Sequence, residues 1–329
     1  MFRNIFRKNG MPRTERYSSF FVTILLFTIL SATGQSYQPE KLNFRVKFKG
    51  LICPYKIFSV FVLPEEVIAL EVLDENHDHE YQLKYERGSR LSGKYRWDCV
   101  APKKAGLYKI EILNLTTQEY ATLHMFVMVP YDRLRGEFLN GYRIGSYPKM
   151  SLNMMAIHKH PQGFVEVTDQ NAETFVSPHF QLKQFLCKQN GGYPKYLVLK
   201  EKLLFKLELI LERVNERGFQ AMTFNILSGY RTPYYNKAIG NVKYSRHIFG
   251  GAADIFIDEG PKDDMMDDLN KDGKIDYRDA AIIYDIIEGM SGRPWYAFLV
   301  GGLGRYKKTP SHGPFVHVDV RGFRARWGT

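Results

Sequence analysis

The residues with the most obvious chemistry lie in two short motifs that stand far apart in the chain. The first motif is Ser-Arg-His-Ile-Phe-Gly-Gly-Ala-Ala-Asp at 245–254, and the second is Phe-Val-His-Val-Asp at 315–319. Two imidazoles and a carboxylate are a common ligand set for a catalytic zinc ion, which keeps its fourth position for water. His247, Asp254 and His317 therefore form a candidate zinc site for a hydrolytic reaction.

The local sequence predicts the elements that position these ligands. A glycine pair follows His247 by two residues and permits a tight turn. Residues 252–258 then have the composition of a strand, and residues 315–320 alternate as another. His317 and Asp319 would share one face of the second strand, with valines on the other face. The site is therefore predicted to lie on two strands.

Further motifs add a family resemblance. The pattern Ser-x-His-x-x-Gly-x-Ala-x-Asp with a later histidine on a strand resembles the zinc peptidases of the D-Ala-D-Ala carboxypeptidase, VanY and hedgehog-fold group. The motifs Ser-Gly-Tyr-Arg-Thr-Pro at 228–233, Gly-Gly-Leu-Gly-Arg-Tyr at 301–306 and Arg-Ala-Arg-Trp at 324–327 resemble the YcbK-like murein endopeptidase branch. The resemblance covers roughly residues 140–329. It implies an α+β zinc peptidase domain with a small antiparallel sheet and flanking helices.

The resemblance also suggests residues that surround the metal. Arg231 looks like the family's substrate-side arginine, which binds a carboxylate or a developing oxyanion and does not contact zinc. A surface ion pair is the alternative for this residue. Tyr230 and Ser245 are candidate substrate-binding residues, and the alternatives for Ser245 are orienting His247 and turn capping.

The sequence leaves the general base open. Several relatives carry Glu or His two or three residues before the last ligand, but these positions are Phe315 and Pro314 here. Asp319 is a candidate for the base or for a partner that orients an imidazole, and the second role is favoured. His312, in a loop with glycine and proline, is the other candidate.

A second metal motif lies between the zinc ligands in the sequence. Residues 268–279 have the spacing of an EF-hand loop, with Gly273 at position 6 and Ile275 at position 8. Position 12 is Asp instead of Glu, so the loop is similar to the dockerin variant, and an empty acidic loop is the alternative. The predicted structural calcium ligands are Asp268, Asn270, Asp272, Lys274 through its carbonyl, Asp276 and Asp279.

Residues 1–34 have the features of a signal peptide or membrane anchor. Basic residues precede an apolar run at 20–30, and small residues at 32–34 suit a cleavage site. The run is shorter than the ~20 residues of a spanning helix, which favours cleavage. We therefore expect export to the periplasm or cell envelope, without a stable membrane span after cleavage.

The rest of the chain divides into predicted domains. Residues 35–130 suggest an all-β sandwich with a weak immunoglobulin-like resemblance, because short alternating strands are separated by turn residues. Residues 131–150 contain several glycines and mark a linker, and residues 151–329 would form the peptidase domain. Within that domain, one helix is predicted to open at residues 177–178 and another to span 200–218.

The cysteines leave two alternatives open. Cys53 and Cys99 both fall in the predicted sandwich, so they form either a disulfide or two buried thiols. Cys187 is predicted to be a small core residue.

The formal net charge of +11 favours an anionic partner. The sequence contains no zinc finger or aromatic RNP motif, so peptidoglycan is a better candidate than nucleic acid. The predicted function is hydrolysis of peptide bonds in peptidoglycan stem peptides or cross-links, as a murein endopeptidase or D,D-carboxypeptidase. The alternatives are a wall-binding protein with a decayed peptidase domain and an exported peptidase that acts on another peptide.

Overall fold

A computed structural model describes residues 36–149 and 159–328. The chain divides into one unit at Met1–Gln35 and a second at Ser36–Thr329, and the fold reported below is that of the second unit. The predicted signal segment therefore lies outside the described residues. None of the helices within 36–149 and 159–328 has the length and apolar character needed to cross a membrane.

The described residues form a mixed α+β fold in which strands predominate, in agreement with the predicted class. The strands are β1 (Lys41–Phe48), β2 (Leu51–Tyr55), β3 (Ile57–Val62), β4 (Val67–Leu73), β5 (Tyr81–Tyr85), β6 (Ser89–Gly93), β7 (Arg96–Val100), β8 (Gly106–Asn114), β9 (Tyr120–Val127), β10 (Val129–Pro130), β11 (Phe138–Leu139), β12 (Tyr142–Arg143), β13 (Gly163–Val167), β14 (Phe175–Ser177), β15 (Phe180–Gln181), β16 (Lys195–Leu197), β17 (Asn225–Ser228), β18 (Ala252–Phe256), β19 (Gly302–Tyr306), β20 (Phe315–Asp319) and β21 (Ala325–Trp327). The α-helices are α1 (Glu201–Glu216), α2 (Pro233–Ala238) and α3 (Tyr277–Glu288), and 3-10 helices lie at Tyr131–Arg133, Leu182–Phe185, Arg246–Phe249 and Pro294–Leu299.

Two sheets make up the amino-terminal part of the described chain. One has the strand order β2-β1-β4-β7-β6 and the other β3-β9-β8-β5. Side chains alternate between exposed and buried along the whole of β1, as expected for a strand with one face on a core. The rings of Phe48 and Phe58, one from each sheet, lie 5.6 Å apart, so both sheets contribute to the same apolar core. The all-β character of this region agrees with the sequence, and its immunoglobulin-like character stays a prediction.

The cysteines are free. Cys53 and Cys99 are buried on β2 and β7, which are separated by two other strands of the same sheet. Neighbouring strands lie about 4.8 Å apart, so these two strands are roughly 14 Å apart and their thiols are beyond the reach of a disulfide. Of the two alternatives that the sequence left open, the disulfide is wrong and the two buried thiols are confirmed. Cys187 is buried as expected.

The segment predicted as a linker is folded over its described part, 131–149. Just before it, β10 pairs with β13 of the carboxy-terminal part, and within it β11 and β12 form a hairpin. Tyr147 is buried, with its ring 5.8 Å from that of Phe249. The chain therefore enters its carboxy-terminal part through packed structure.

The helix predicted to open at Ser177 is not formed. Ser177 ends β14, which pairs with β15, and the helical turn that follows is the short 3-10 helix at Leu182–Phe185. Between the two strands, His179 donates its backbone N–H to the buried carboxylate of Glu208 on α1. This tertiary contact outweighs the local helix-start signal, which is a weak preference.

The carboxy-terminal sheet has the order β17-β18-β20-β19-β21. Its strands pair antiparallel except for β21, which runs parallel to β19, so the small antiparallel sheet implied by the resemblance is largely present. The predicted helix at 200–218 is α1, which contacts α3, the 3-10 helix at Pro294–Leu299 and, in the amino-terminal part, β3. Its Glu212 accepts hydrogen bonds from Lys41 at 2.6 Å and from Tyr55 at 2.7 Å.

Candidate metal centre

One row of residues across the carboxy-terminal sheet builds the candidate site. Strand pairing sets the row in the order Ser228, Asp254, His317, Gly304 and Trp327. Residues that stand opposite each other on neighbouring strands lie on the same face of a sheet. The two motifs that are far apart in the sequence therefore meet on one face.

His247 joins this row from the 3-10 helix that precedes β18. Its Nε2 lies 3.3 Å from Nδ1 of His317 and 3.4 Å from Oδ1 of Asp254. Nδ1 of His317 lies 2.8 Å from the same carboxylate oxygen. All three side chains are buried, and their potential ligand atoms form a compact group. The structure thus brings together the predicted ligand set.

The backbone around His247 fixes the orientation of its ring. Nδ1 of His247 donates a hydrogen bond to the carbonyl of Gly229 at 2.7 Å, which leaves Nε2 as the nitrogen that faces the other donors. Gly250 ends the helical turn at φ +65, and a Cβ there would overlap the carbonyl group of Val198. Only glycine tolerates both the left-handed backbone and this close approach. The predicted tight turn after His247 is therefore present.

Asp319 orients the other histidine. The carboxylate is fully buried, and its Oδ2 lies 3.3 Å from Nε2 of His317. Its Oδ1 accepts the backbone N–H of Gly302 at 2.8 Å, and Nε of Arg321 binds Oδ2 at 2.8 Å. Because both oxygens are engaged behind the imidazole, the geometry favours the orienting role over that of general base.

The charges of this group are tightly coupled. Burial lowers the pKa of His247 although Asp254 opposes the shift. Burial alone would also lower the pKa of His317, but the hydrogen bonds that it donates to Asp254 and Asp319 outweigh it and raise this pKa. Burial alone would raise the pKa of Asp254, yet the two histidines hold it well below its usual range. The centre therefore has an ionised carboxylate and a neutral His247.

The donor set fits zinc. Zinc prefers imidazole nitrogen and carboxylate oxygen at about 2.0–2.2 Å in a tetrahedral arrangement, which separates neighbouring donors by roughly 3.3 Å. The three donor separations of 2.8, 3.3 and 3.4 Å lie close to this value. Each histidine also uses its second nitrogen on a partner behind it, as metal-binding histidines usually do. His247, Asp254 and His317 would hold the ion.

Arg231 lies at the edge of this group, and its placement changes one expectation. Its Nη2 donates to Oδ2 of Asp254 at 2.7 Å, and its Nε donates to Ser228 at 2.7 Å. It therefore contacts a predicted metal ligand, which the sequence analysis did not expect. The ion pair is largely buried, so the surface alternative is wrong as well. Arg231 also lines the cleft described below.

The glycine-rich motif at 301–306 makes room for the site. A Cβ on Gly302 would meet the carboxylate of Asp319, and a Cβ on Gly304 would meet the indole of Trp327. The Trp327 ring lies 5.1 Å from the ring of His317 and donates its indole N–H to Tyr306 at 2.6 Å. These glycines and Trp327 carried the family resemblance, but only the structure shows what they do.

A cleft of about 1000 Å³ opens over the metal-binding group. Ser245 and His312 line it, and their roles stay predictions; Ser245 makes no capping hydrogen bond through its side chain. Nδ1 of His312 donates to the carbonyl of Gly313 at 2.7 Å, which leaves Nε2 as its remaining nitrogen. Tyr230 does not line the cleft. Its ring is buried, and its hydroxyl lies 3.0 Å from that of Tyr147, so the substrate-binding prediction for Tyr230 is corrected to a core role.

The sequence analysis missed three cations on the cleft wall: Lys188, Arg246 and Arg321. Arg246 directly precedes His247 within the motif, so its position in the sequence could have indicated that it lies near the site. Burial and repulsion from Arg321 lower the pKa of Arg246, whereas Asp319 raises it, so these charges lie close together. Nothing in the local sequence indicated Lys188, which reaches the cleft from a loop after the Leu182–Phe185 helix.

The predicted calcium loop has a different character. Asp268 accepts the backbone N–H of Gly273 at 2.7 Å, and Asp279 accepts those of Leu269 at 2.9 Å and Asp276 at 2.8 Å. The carboxylates are thus bonded to the loop's own backbone. Within 36–149 and 159–328, the side chains grouped closely enough to hold a metal are those of the zinc set, and the loop contributes none. Calcium binding stays a prediction.

Comparison with known families gives one match. The model of the family described as Peptidase M15 matches residues 178–278. No match was found among curated proteins. The matched segment contains Arg231, His247 and Asp254, and it ends before His317. The resemblance to zinc peptidases is thereby confirmed, and the third donor comes from the geometry.

Proposed function

We propose that this chain, whose residues 178–278 match the model of the Peptidase M15 family, is an exported zinc-dependent hydrolase of peptidoglycan peptides. It would cut stem peptides or cross-links as an endopeptidase or D,D-carboxypeptidase. The observation that carries the proposal is the buried group of His247, Asp254 and His317 beneath an open cleft.

The residues in and around this group would have different roles in the reaction. A zinc ion held there would polarise the scissile carbonyl and lower the pKa of a bound water towards about 7. Asp319 and the Gly229 carbonyl hold the two imidazoles in the orientation that binding requires. Arg231 fixes Asp254 through Nη2 and, from the wall of the cleft, would contact a substrate oxygen. The chain's own contribution is therefore orientation of the ligands and of the substrate.

We assign the proton-transfer role to His312. Asp319 has no exposed surface and is bonded on both oxygens, whereas His312 lines the cleft with Nε2 left to exchange a proton. A positioned general base contributes about 10²–10⁴-fold. His312→Asn should therefore lower kcat by roughly this factor and keep the zinc content. Unchanged turnover, or loss of zinc, would remove His312 from this role.

Charge supports a wall substrate. The net charge of +11 suits an anionic polymer, and the cleft itself is lined by cations. The signal-like segment at 1–34 supports export, which would deliver the enzyme to peptidoglycan. These observations favour the wall over an unrelated exported peptide.

The decisive experiment is digestion of purified peptidoglycan with metal-free and zinc-loaded protein, followed by mass spectrometry of the products. We expect new peptide termini with zinc alone, and none with zinc-loaded His317→Ala. Binding to peptidoglycan without any new termini would favour the wall-binding alternative. Hydrolysis of an unrelated peptide, but not of peptidoglycan, would favour the other exported peptidase.

A further inference from the structure

The amino-terminal part carries a strongly basic segment that the proposed reaction does not use. Residues 86–96 comprise the turn before β6, the strand β6 itself and the hairpin turn into β7. The segment contains one acid, Glu86, and four exposed cations. The cations are Arg87, Arg90, Lys94 and Arg96. Residues 86–96 are called the basic hairpin below.

The protein itself does little to neutralise these charges. Within the described residues, none of the four cations forms an ion pair with an acidic side chain. Arg87 and Lys94 lie over neighbouring tyrosine rings, at 5.9 and 5.4 Å from the ring centres. Glu71 stands opposite Arg96 on the adjacent strand β4, but its carboxylate pairs with Lys47 at 3.2 Å. The basic hairpin therefore presents net positive charge to its surroundings.

These cations follow one edge of a sheet. β6 is the last strand in the order β2-β1-β4-β7-β6, so one side of its backbone has no neighbouring strand among the described residues. Lys94 follows Arg87 by seven residues, which span roughly 20 Å at the rise of an extended strand. Residues 86–96 expose one large apolar side chain, Leu91, whereas surfaces that enter a membrane carry several, with aromatic residues among them. A row of like charges fits an anionic chain better than it fits a lipid surface.

The basic hairpin is remote from the metal-binding group. β2, at the opposite edge of the same sheet, carries Tyr55, which donates a hydrogen bond to Glu212 of α1 at 2.7 Å. The β2 edge therefore contacts the carboxy-terminal part, and β6 lies four strand spacings away, about 19 Å across the sheet. The residues that line the cleft include none of the four cations. Changes in the hairpin should therefore leave the zinc ligands and the cleft intact.

We propose that the basic hairpin binds carboxylates of the peptidoglycan polymer and holds the enzyme on that polymer while the cleft cuts it. This inference rests on the proposed function and adds a second, non-catalytic binding site for the same polymer. Contact at a second point raises the effective concentration of substrate bonds near the cleft, and a small soluble fragment gains nothing from it. Cations on an edge strand also prevent pairing with other strands. That role alone predicts no difference between polymeric and soluble substrates.

The test compares intact peptidoglycan with soluble muropeptides from the same preparation. The triple variant Arg87→Gln/Arg90→Gln/Lys94→Gln should bind peptidoglycan about tenfold more weakly than the wild type, because three exposed charge contacts are lost. Sedimentation of the metal-free proteins with the polymer measures this binding. The zinc-loaded variant should release new peptide termini from the polymer correspondingly more slowly, with unchanged kcat/KM on the muropeptides. About 1 M salt should remove the difference, since the Debye length then falls to about 3 Å.

Lys104→Gln/Lys202→Gln/Lys271→Gln is the matched control, because it removes the same charge from three exposed positions outside the hairpin. It should bind and cut the polymer as the wild type does. Equal binding of peptidoglycan by the hairpin variant and the wild type, or an equal loss in the control, would overturn the inference and leave the proposed function standing. Loss of binding to anionic lipid vesicles, with binding to peptidoglycan retained, would assign the hairpin to the membrane instead. If the hairpin bound the polymer but the zinc-loaded wild type cut neither substrate, the proposed function would fail and the polymer-binding site would remain.

Discussion

The row of residues across the carboxy-terminal sheet and the loop at 268–279 are both metal motifs in the sequence, but the fold treats them differently. The row collects donors from β18, β20 and the turn before β18, and buries them within 3.4 Å of one another. The loop draws all its candidate donors from one short segment, and most of these side chains are exposed or half-buried. Its carboxylates bind neighbouring backbone N–H groups of the loop.

The difference shows what a preformed metal site requires. The imidazoles of the sheet have partners behind them, such as the Gly229 carbonyl and Asp319, so their free nitrogens face one point. The carboxylates of the loop turn toward backbone donors, which is the usual local bonding of Asp in turns. A cation would have to compete with these bonds. We therefore expect large effects on metal binding from the sheet and small ones from the loop.

The largest effect should follow from His317→Ala. Loss of one of three protein ligands should abolish stoichiometric zinc binding and lower peptidase activity by about 10³-fold or more. Elemental analysis and muropeptide digestion measure the two losses. Asp272→Ala, in the loop, is the control and should keep full zinc and activity. Equal zinc in both variants would contradict the assignment of the sheet as the zinc site.

Arg231→Gln should come next. It removes a donor to the substrate, which typically costs about 10²–10³-fold in kcat, and it also frees Asp254 from its partner. We therefore expect weaker zinc binding together with slower turnover, measured by titration and by steady-state kinetics at saturating zinc. Arg278→Gln breaks the corresponding arginine pair in the loop, with Asp272, and should change neither quantity. If the Arg231 variant were slower but bound zinc with unchanged affinity, Arg231 would act on the substrate alone.

Asp319→Asn keeps the shape of the side chain and should weaken zinc binding by about 10–100-fold. Partners that orient a ligating histidine usually contribute this much to metal affinity. The variant should regain much of its activity when zinc is raised, because the ligands themselves remain. Asp276→Asn makes the same charge change in the loop and should leave zinc affinity as it is. If excess zinc gave no recovery, Asp319 would have to act on the substrate directly.

The smallest effect is expected from calcium. A ligand that binds only the folded protein at ~100 times its Kd adds about 2.7 kcal/mol, so calcium should raise the melting temperature if the loop binds it. The double variant Asp268→Ala/Asp272→Ala should lose this response. If calcium raised the melting temperature of that variant as much as that of the wild type, the loop would not bind calcium. It would then be an acidic surface segment, unlike the metal-binding group of the sheet.

Much of the fold could be predicted from sequence periodicity. The alternation at β1 and β20, the strand composition at β18 and the apolar spacing of α1 are local signals, and the structure has elements at each of these places. The helix predicted at Ser177 failed because a local start signal is weak, and the hairpin there is held by Glu208 from a distant helix. The disulfide alternative was wrong because two residues in the same sheet need not lie on adjacent strands, and the local sequence does not determine strand order.

The sequence by itself identified the candidate zinc donors from their types and spacing, and the family match covers two of them, His247 and Asp254. Only the tertiary structure decided their surroundings. The pairing register put Ser228, Gly304 and Trp327 in the same row as Asp254 and His317. Tertiary packing placed Tyr230 in the core. Lys188 reached the cleft from a loop without any motif. Ligand chemistry depends on residue type, which a sequence shows directly. Contacts between distant segments depend on strand order and packing, which form only when the whole core is assembled.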